Sequence, residues 1–157
     1  MKDEFSIWLE NHKDHYALID KSYKNVYMKE KKAQYDGNTN FELATYGDAT
    51  LKLALCEILM EDKESKLTEK KKEYESDKVL VNIIAEHYKI LDYLQFDKED
   101  KNIPKDYNYE SKKGRNPHKY IATAVEACLG AIFIEDKDIE KICEIVRYWI
   151  KLIDEKI

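Results

Sequence analysis

Residues Leu43 to Leu59 read LATYGDATLKLALCEIL, and the reading of this stretch decides the fold. Leu51, Leu55, Ile58 and Leu59 recur at helical spacing, which predicts a helix from about Phe41 to Met60. Its first turns nevertheless carry Gly47 and Asp48. Glycine weakens a helix interior by about 1 kcal/mol relative to alanine. A carboxylate beside an apolar stripe is costly unless something pairs with it. One account is a helix cap or an irregular turn. The other is that Gly47 admits a second backbone at close range while Asp48 holds a metal.

A second segment has the same construction. In TAVEACLGAIF, Glu126 interrupts an apolar helical stripe and Gly130 follows one turn later. Both segments are rich in small residues: Ala44, Gly47 and Ala49 in one, Ala122, Ala124, Ala127, Gly130 and Ala131 in the other. Small residues let helix axes approach more closely than the usual 8–10 Å. A crossing there would bring Asp48 and Glu126 together, and two carboxylates in a semi-buried site raise each other's pKa. A divalent cation removes that conflict, and ligation by oxygens with retained waters suits Mg²⁺ or Mn²⁺.

Composition bounds the rest. The chain has 157 residues, 43% hydrophobic and 38% charged, which fits one globular domain over residues 1–157 and excludes a disordered chain. No run approaches the roughly 18 apolar residues of a membrane span, and the start MKDEFSIWLENHKDH lacks a secretory pattern. Four glycines and two prolines are too few turn signals for a many-stranded fold. Cys56, Cys128 and Cys143 are too few and too widely spaced for a disulfide framework or a zinc site, and read as free thiols in a reducing cytoplasm. The net charge of −5 argues mildly against nucleic acid overall, although phosphate binding responds to a local patch.

Along the chain, the N-terminal third reads as one or two helices, with FSIWLENH placing Phe5, Trp8 and Leu9 on one face and YALIDKSYKNVYM placing Tyr16, Ile19, Tyr23 and Val26 or Tyr27 on another. EDKESKLTEKKKEYESDK reads as a solvated helix face with a connecting loop, and Lys70, Lys71 and Lys72 form a basic cluster tempered by acidic neighbours. VLVNIIAEHYKILDYLQF predicts a helix carrying Val79, Tyr88, Leu91 and Leu94. DKEDKNIPKDYNYESKKGRNPHK lacks periodicity and holds both prolines, so it is the longest loop. Helices return with Ile121, Val125 and Ile132, then with Ile142, Trp149 and Leu152. The fold class is an all-α bundle without a convincing strand. His12, His15 and His87 lack a ligand pattern.

These blocks resemble the ribonuclease III family. Its signature runs approximately Asn-x-x-Arg-Leu-Glu-Phe-Leu-Gly-Asp-Ala-Val-Leu, and this chain has NFELATYGDATL. Its second motif, Asp-x-x-Glu-Ala-Leu-Ile-Gly-Ala-Ile-Tyr, is similar to TAVEACLGAIF. ALIDKSYKN looks like the family's Ala-Leu-Thr-His-Lys-Ser-Tyr, with Asp20 in place of histidine, and ILDYLQFDKEDK looks like the lead into its pre-catalytic loop. The blocks keep the family's order from roughly Tyr16 to Trp149. Two carboxylates of the usual four are replaced, by Ala44 and Thr123. The same replacements, with a basic KKGRN loop at Lys112 to Asn116, resemble the Mini-III branch, which lacks a double-stranded-RNA-binding domain.

The resemblance implies an all-helical ribonuclease III-like bundle acting as a homodimeric, cytoplasmic endonuclease on double-stranded RNA, with ribosomal-RNA precursors as the first substrate to consider. It implies Mg²⁺ or Mn²⁺ held by Asp48 and Glu126, with Glu75 or Asp77 approaching through water. Lys112, Lys113, Arg115, His118 and Lys119 are the RNA-contact candidates, since A-form duplex is gripped through phosphates and 2′-hydroxyls. Ribosome-bound relatives with similar losses imply the alternative, an inactive domain that binds structured RNA or a ribosomal partner.

Overall fold

The computed structural model describes residues 2–30, 38–62, 66–110 and 116–156. Helix α1, Glu4–Asn11, begins where the Asp3 carboxylate accepts from the Ser6 backbone N–H at 3.4 Å. It buries Phe5, Trp8 and Leu9, the face that its spacing predicts. The next segment departs from expectation. Tyr16–Leu18 form a single 3₁₀ turn, and α2 starts only at Tyr23, spanning Tyr23–Glu30. Between them Ile19 makes an isolated parallel bridge to Gln95, with Asp20 N–H donating to the Gln95 carbonyl at 2.9 Å. The buried Asp20 carboxylate then accepts from Ser22 N–H at 3.0 Å, a side-chain turn that competes with helix at this point.

Helix α3, Phe41–Met60, forms as the sequence predicts, buries Leu43, Gly47, Leu51, Ala54 and Leu55, and is not broken at Gly47-Asp48. Helix α4, Leu67–Tyr74, follows. Ser76 caps α5, Asp77–Val79, accepting from Val79 N–H at 3.3 Å. The chain widens into a π-helical stretch at Leu80–Ala85 and tightens again in α6, Glu86–Tyr88. The predicted helix does not continue to Leu94. Lys89 adopts a left-handed conformation (φ 54°), and the Leu91 N–H is taken by the Tyr107 hydroxyl at 3.0 Å. A helix ended in this way leaves only a 3₁₀ turn at Ile90–Asp92.

The long loop after Phe96 is pinned at several points. The Asn82 amide, in the π-helical stretch, accepts from Tyr109 N–H at 2.7 Å and donates to the Tyr109 carbonyl at 3.1 Å. The Tyr120 hydroxyl donates to the Pro104 carbonyl at 2.6 Å. Helix α7, Lys119–Asp136, is buried along most of its length, and α8, Ile139–Lys156, buries Ile142, Ile145, Val146, Trp149 and Ile153. Helix α3 packs most extensively on α7 and also against α8. Beside this pair, Trp149 meets Phe5 edge-on with centroids 5.2 Å apart. The Trp149 indole N–H donates to the Tyr88 hydroxyl at 3.0 Å, and Tyr88 donates to Asp3 at 2.5 Å. The expected all-α architecture is what forms. Cys56, Cys128 and Cys143 are free thiols, and no helix among the described residues is long and apolar enough to cross a membrane.

Candidate functional site

The site is made by the approach of α3 to α7. A Cβ placed on Gly47 would lie 1.7 Å from the Glu126 carbonyl oxygen, a distance no atom tolerates. A Cβ on Gly130 would stand 2.8 Å from the Leu43 carbonyl oxygen and 2.9 Å from Gly47 N. The two glycines thus let the backbones touch, and the residues beside them, Asp48 and Glu126, are carried into one place.

The two carboxyl groups are hydrogen-bonded to each other, and their pKa values move apart. Burial raises the Glu126 pKa first, then its hydrogen bond to Asp48, then the charges of Asp48 and Asp77; together they push it up to about 9. The direction of this shift favours the protonated form of Glu126, the form that can donate to Asp48. Burial also raises Asp48, but the hydrogen bonds from Glu126 and Lys52 and the charges of Lys52 and Lys71 outweigh it, leaving Asp48 below its ordinary value.

Lys52 stands one turn along α3 and forms an ion pair with Asp48, each side chain about two-fifths exposed (41% and 42%). The Asp48 hydrogen bond chiefly raises the Lys52 pKa, with contributions from the charges of Asp48, Glu75 and Glu126. Lys71, from the segment that reads as a solvated face, turns inward. It donates to Glu75 Oε1 at 3.2 Å, and its Nζ lies 3.0 Å from the buried Oε2, outside hydrogen-bonding geometry. Lys119 Nζ lies 3.7 Å from Asp77. Ala44 and Thr123 occupy the α3 and α7 positions one turn before Asp48 and Glu126, and the Thr123 hydroxyl donates to the Lys119 carbonyl at 3.0 Å.

The RNA-contact candidates divide. Lys119 is exposed at the start of α7. His118 is engaged by Asp106, its Nε2 lying 2.6 Å from the carboxylate. Lys112, Lys113 and Arg115 lie outside the described residues. A cavity of about 450 Å³ between Asp20, Asn40, Asn116, Lys119 and Thr123 opens beside the first turns of α7. Sequence reading missed Lys52. Its signal was present, since Asp followed by Lys at i+4 is a favourable helical pair.

The donors suit a hard divalent ion. Two carboxyl groups from different helices lie within hydrogen-bonding reach, and Mg²⁺ is commonly held by one or two carboxylates while keeping several waters. Among the described residues no group of three or more His, Cys, Asp or Glu side chains is arranged to hold a metal.

The all-helical core thus closes on a carboxyl pair at a glycine-lined helix crossing. The chain belongs to the ribonuclease III family: the family model described as the ribonuclease III domain matches residues 42–137, a span that contains both Asp48 and Glu126. None of the curated proteins compared with it matches. The family comprises endoribonucleases that act on RNA, generally depends on divalent metals and usually dimerises.

Proposed function

We propose that this chain is a Mg²⁺-dependent endoribonuclease of double-stranded RNA, of the reduced-carboxylate Mini-III type, with Asp48 and Glu126 as its metal ligands. The observation that carries the reading is the convergence of these two carboxyl groups at the α3–α7 crossing. A bound Mg²⁺ would supply a water of lowered pKa and positive charge against the phosphoryl oxygens. Asp48 and Glu126 would orient that ion. Lys119, exposed at the start of α7, would meet a phosphate of the duplex backbone. Glu75 stands near enough to act on Lys52 by charge, which supports an outer role in keeping the site acidic.

A homodimer follows from the family habit and from an exposed apolar patch near the start of α3. Phe41 is 64% exposed, and Tyr16, Tyr46 and Ile134 line the same groove. Precursors of ribosomal RNA are the first substrate to assay. The direct test is cleavage of long duplex RNA with Mg²⁺, followed by end analysis for 5′-phosphates and 3′-hydroxyls. Asp48→Asn and Glu126→Gln should each reduce cutting by at least about 100-fold while circular dichroism stays native. Robust cutting by Asp48→Asn would overturn the assignment.

The ammonium of Lys52 on Asp48 favours a second reading, a non-catalytic domain that binds structured RNA or a ribosomal partner. It predicts RNA binding, with or without Mg²⁺, and no cleavage by the wild type.

A further inference from the structure

The site carries its own cations. Around Asp48 and Glu126 stand two more carboxyl residues, Glu75 and Asp77, and three lysines, each paired with an acidic side chain: Lys52 with Asp48, Lys71 with Glu75, Lys119 with Asp77. The three ammonium groups set positive charge directly against this acidic cluster. Of the three lysines only Lys52 bonds directly to a proposed metal ligand, and it lies near enough to act on Glu126 and Glu75 by charge as well.

Two observations make this pairing more than a surface ion pair. First, the ammonium is bonded to Asp48 Oδ2, an oxygen of the same carboxylate that is hydrogen-bonded to Glu126, so it holds a group a hard cation would need. Second, Lys52 is tethered by a long flexible stem with about two-fifths of its side chain in solvent, so it has room to withdraw. Exposed ion pairs of this kind are weak and exchange readily.

We propose that Lys52 is a built-in competitor of the divalent metal: it holds Asp48 when the ion is absent and must leave for the ion to bind. The inference rests on the metal reading given above. Lys52 neutralises part of the carboxyl cluster, which lets the two acids stay together in the metal-free protein, and it lowers the affinity for Mg²⁺ or Mn²⁺ by occupying a ligand and by repelling the incoming charge. The site is then loaded only where the divalent ion is abundant. Withdrawal frees an ammonium beside the bound ion, within reach of a phosphate.

The test is direct titration with Mn²⁺ followed by electron paramagnetic resonance, in which bound Mn²⁺ loses the sharp six-line signal of the free ion. Wild type, Lys52→Met, Lys52→Arg and Asp48→Asn are compared, with melting curves to show that each is folded. Lys52→Met should tighten Mn²⁺ binding on the order of tenfold, because it removes a like charge at contact distance. Lys52→Arg keeps the charge and should stay close to wild type. Asp48→Asn should abolish the site. Unchanged or weaker binding by Lys52→Met overturns the inference while leaving the nuclease reading intact. Equal tightening by Lys52→Met and Lys52→Arg also overturns it, since the effect would then be steric. If wild type and Lys52→Met bind no more Mn²⁺ than Asp48→Asn, the inference falls together with the metal-dependent reading.

Discussion

Gly47 and Gly130 stand against each other where α3 crosses α7, so close that a Cβ on Gly130 would lie 3.0 Å from the Gly47 Cα. Everything proposed for this site depends on that contact, because side chains of any size there would hold the helices apart and separate Asp48 from Glu126.

Gly47→Ala should therefore be among the most damaging single-methyl additions in the chain. The new Cβ would meet the Glu126 carbonyl oxygen, a backbone atom that cannot swing away. Thermal or urea denaturation should show a loss of about 3 kcal/mol or more, at the upper end of overpacking costs. Gly130→Ala meets backbone at 2.8 Å and should cost less.

The raised Glu126 pKa predicts a pH dependence in metal-free protein held in chelator. The Glu126 pKa is raised from 4.5 to about 9 on folding. The folded state then binds a proton more tightly than the unfolded state. This contribution is fully present below about pH 4.5 and is lost progressively as the pH rises through about 9. Stability should fall across that window by on the order of a few kcal/mol, and Glu126→Gln should flatten the slope. Urea midpoints measured at intervals from pH 5 to 9 would check it.

Lys119→Ala should weaken duplex RNA binding about equally for all sequences and reduce the salt slope of log K by roughly one counterion. Filter binding at several salt concentrations reads both. An unchanged slope would remove Lys119 from the RNA contact set.

Phe41→Glu should convert a dimer to a monomer without loss of helix, because Phe41 is exposed in the single chain and contributes little to its core. Sedimentation velocity distinguishes the two states. A variant that sediments as wild type would move the interface elsewhere.

Tyr88→Phe should destabilise the fold by about 1–3 kcal/mol, since it strips the acceptor from the buried Trp149 indole N–H and a donor from Asp3. Chemical denaturation checks this at a place remote from the carboxyl pair.

The sequence alone determined the helices whose apolar residues recur every three or four positions. Helices α3 and α7 were legible in this way, as was the all-α class, because periodicity and the shortage of turn residues are local properties. The small residues around Gly47 and Gly130 also announced a close crossing. Tertiary structure alone decided where local signals were overruled. The helix predicted through Leu94 stops at Lys89 because Tyr107, from a distant loop, takes the Leu91 N–H. The one predicted from Tyr16 gives way to a bridge with Gln95. In the site, Asp48 and Glu126 were each visible as acids out of place, but the hydrogen bond between them arises only when two backbones meet. Lys71 and Glu75 lay in a stretch that any local reading assigns to solvent, and the packing of α4 on α3 turned them inward. Spacing along a chain fixes which side chains share a helical face; which faces meet is fixed by what can be buried, and that is a property of the whole molecule.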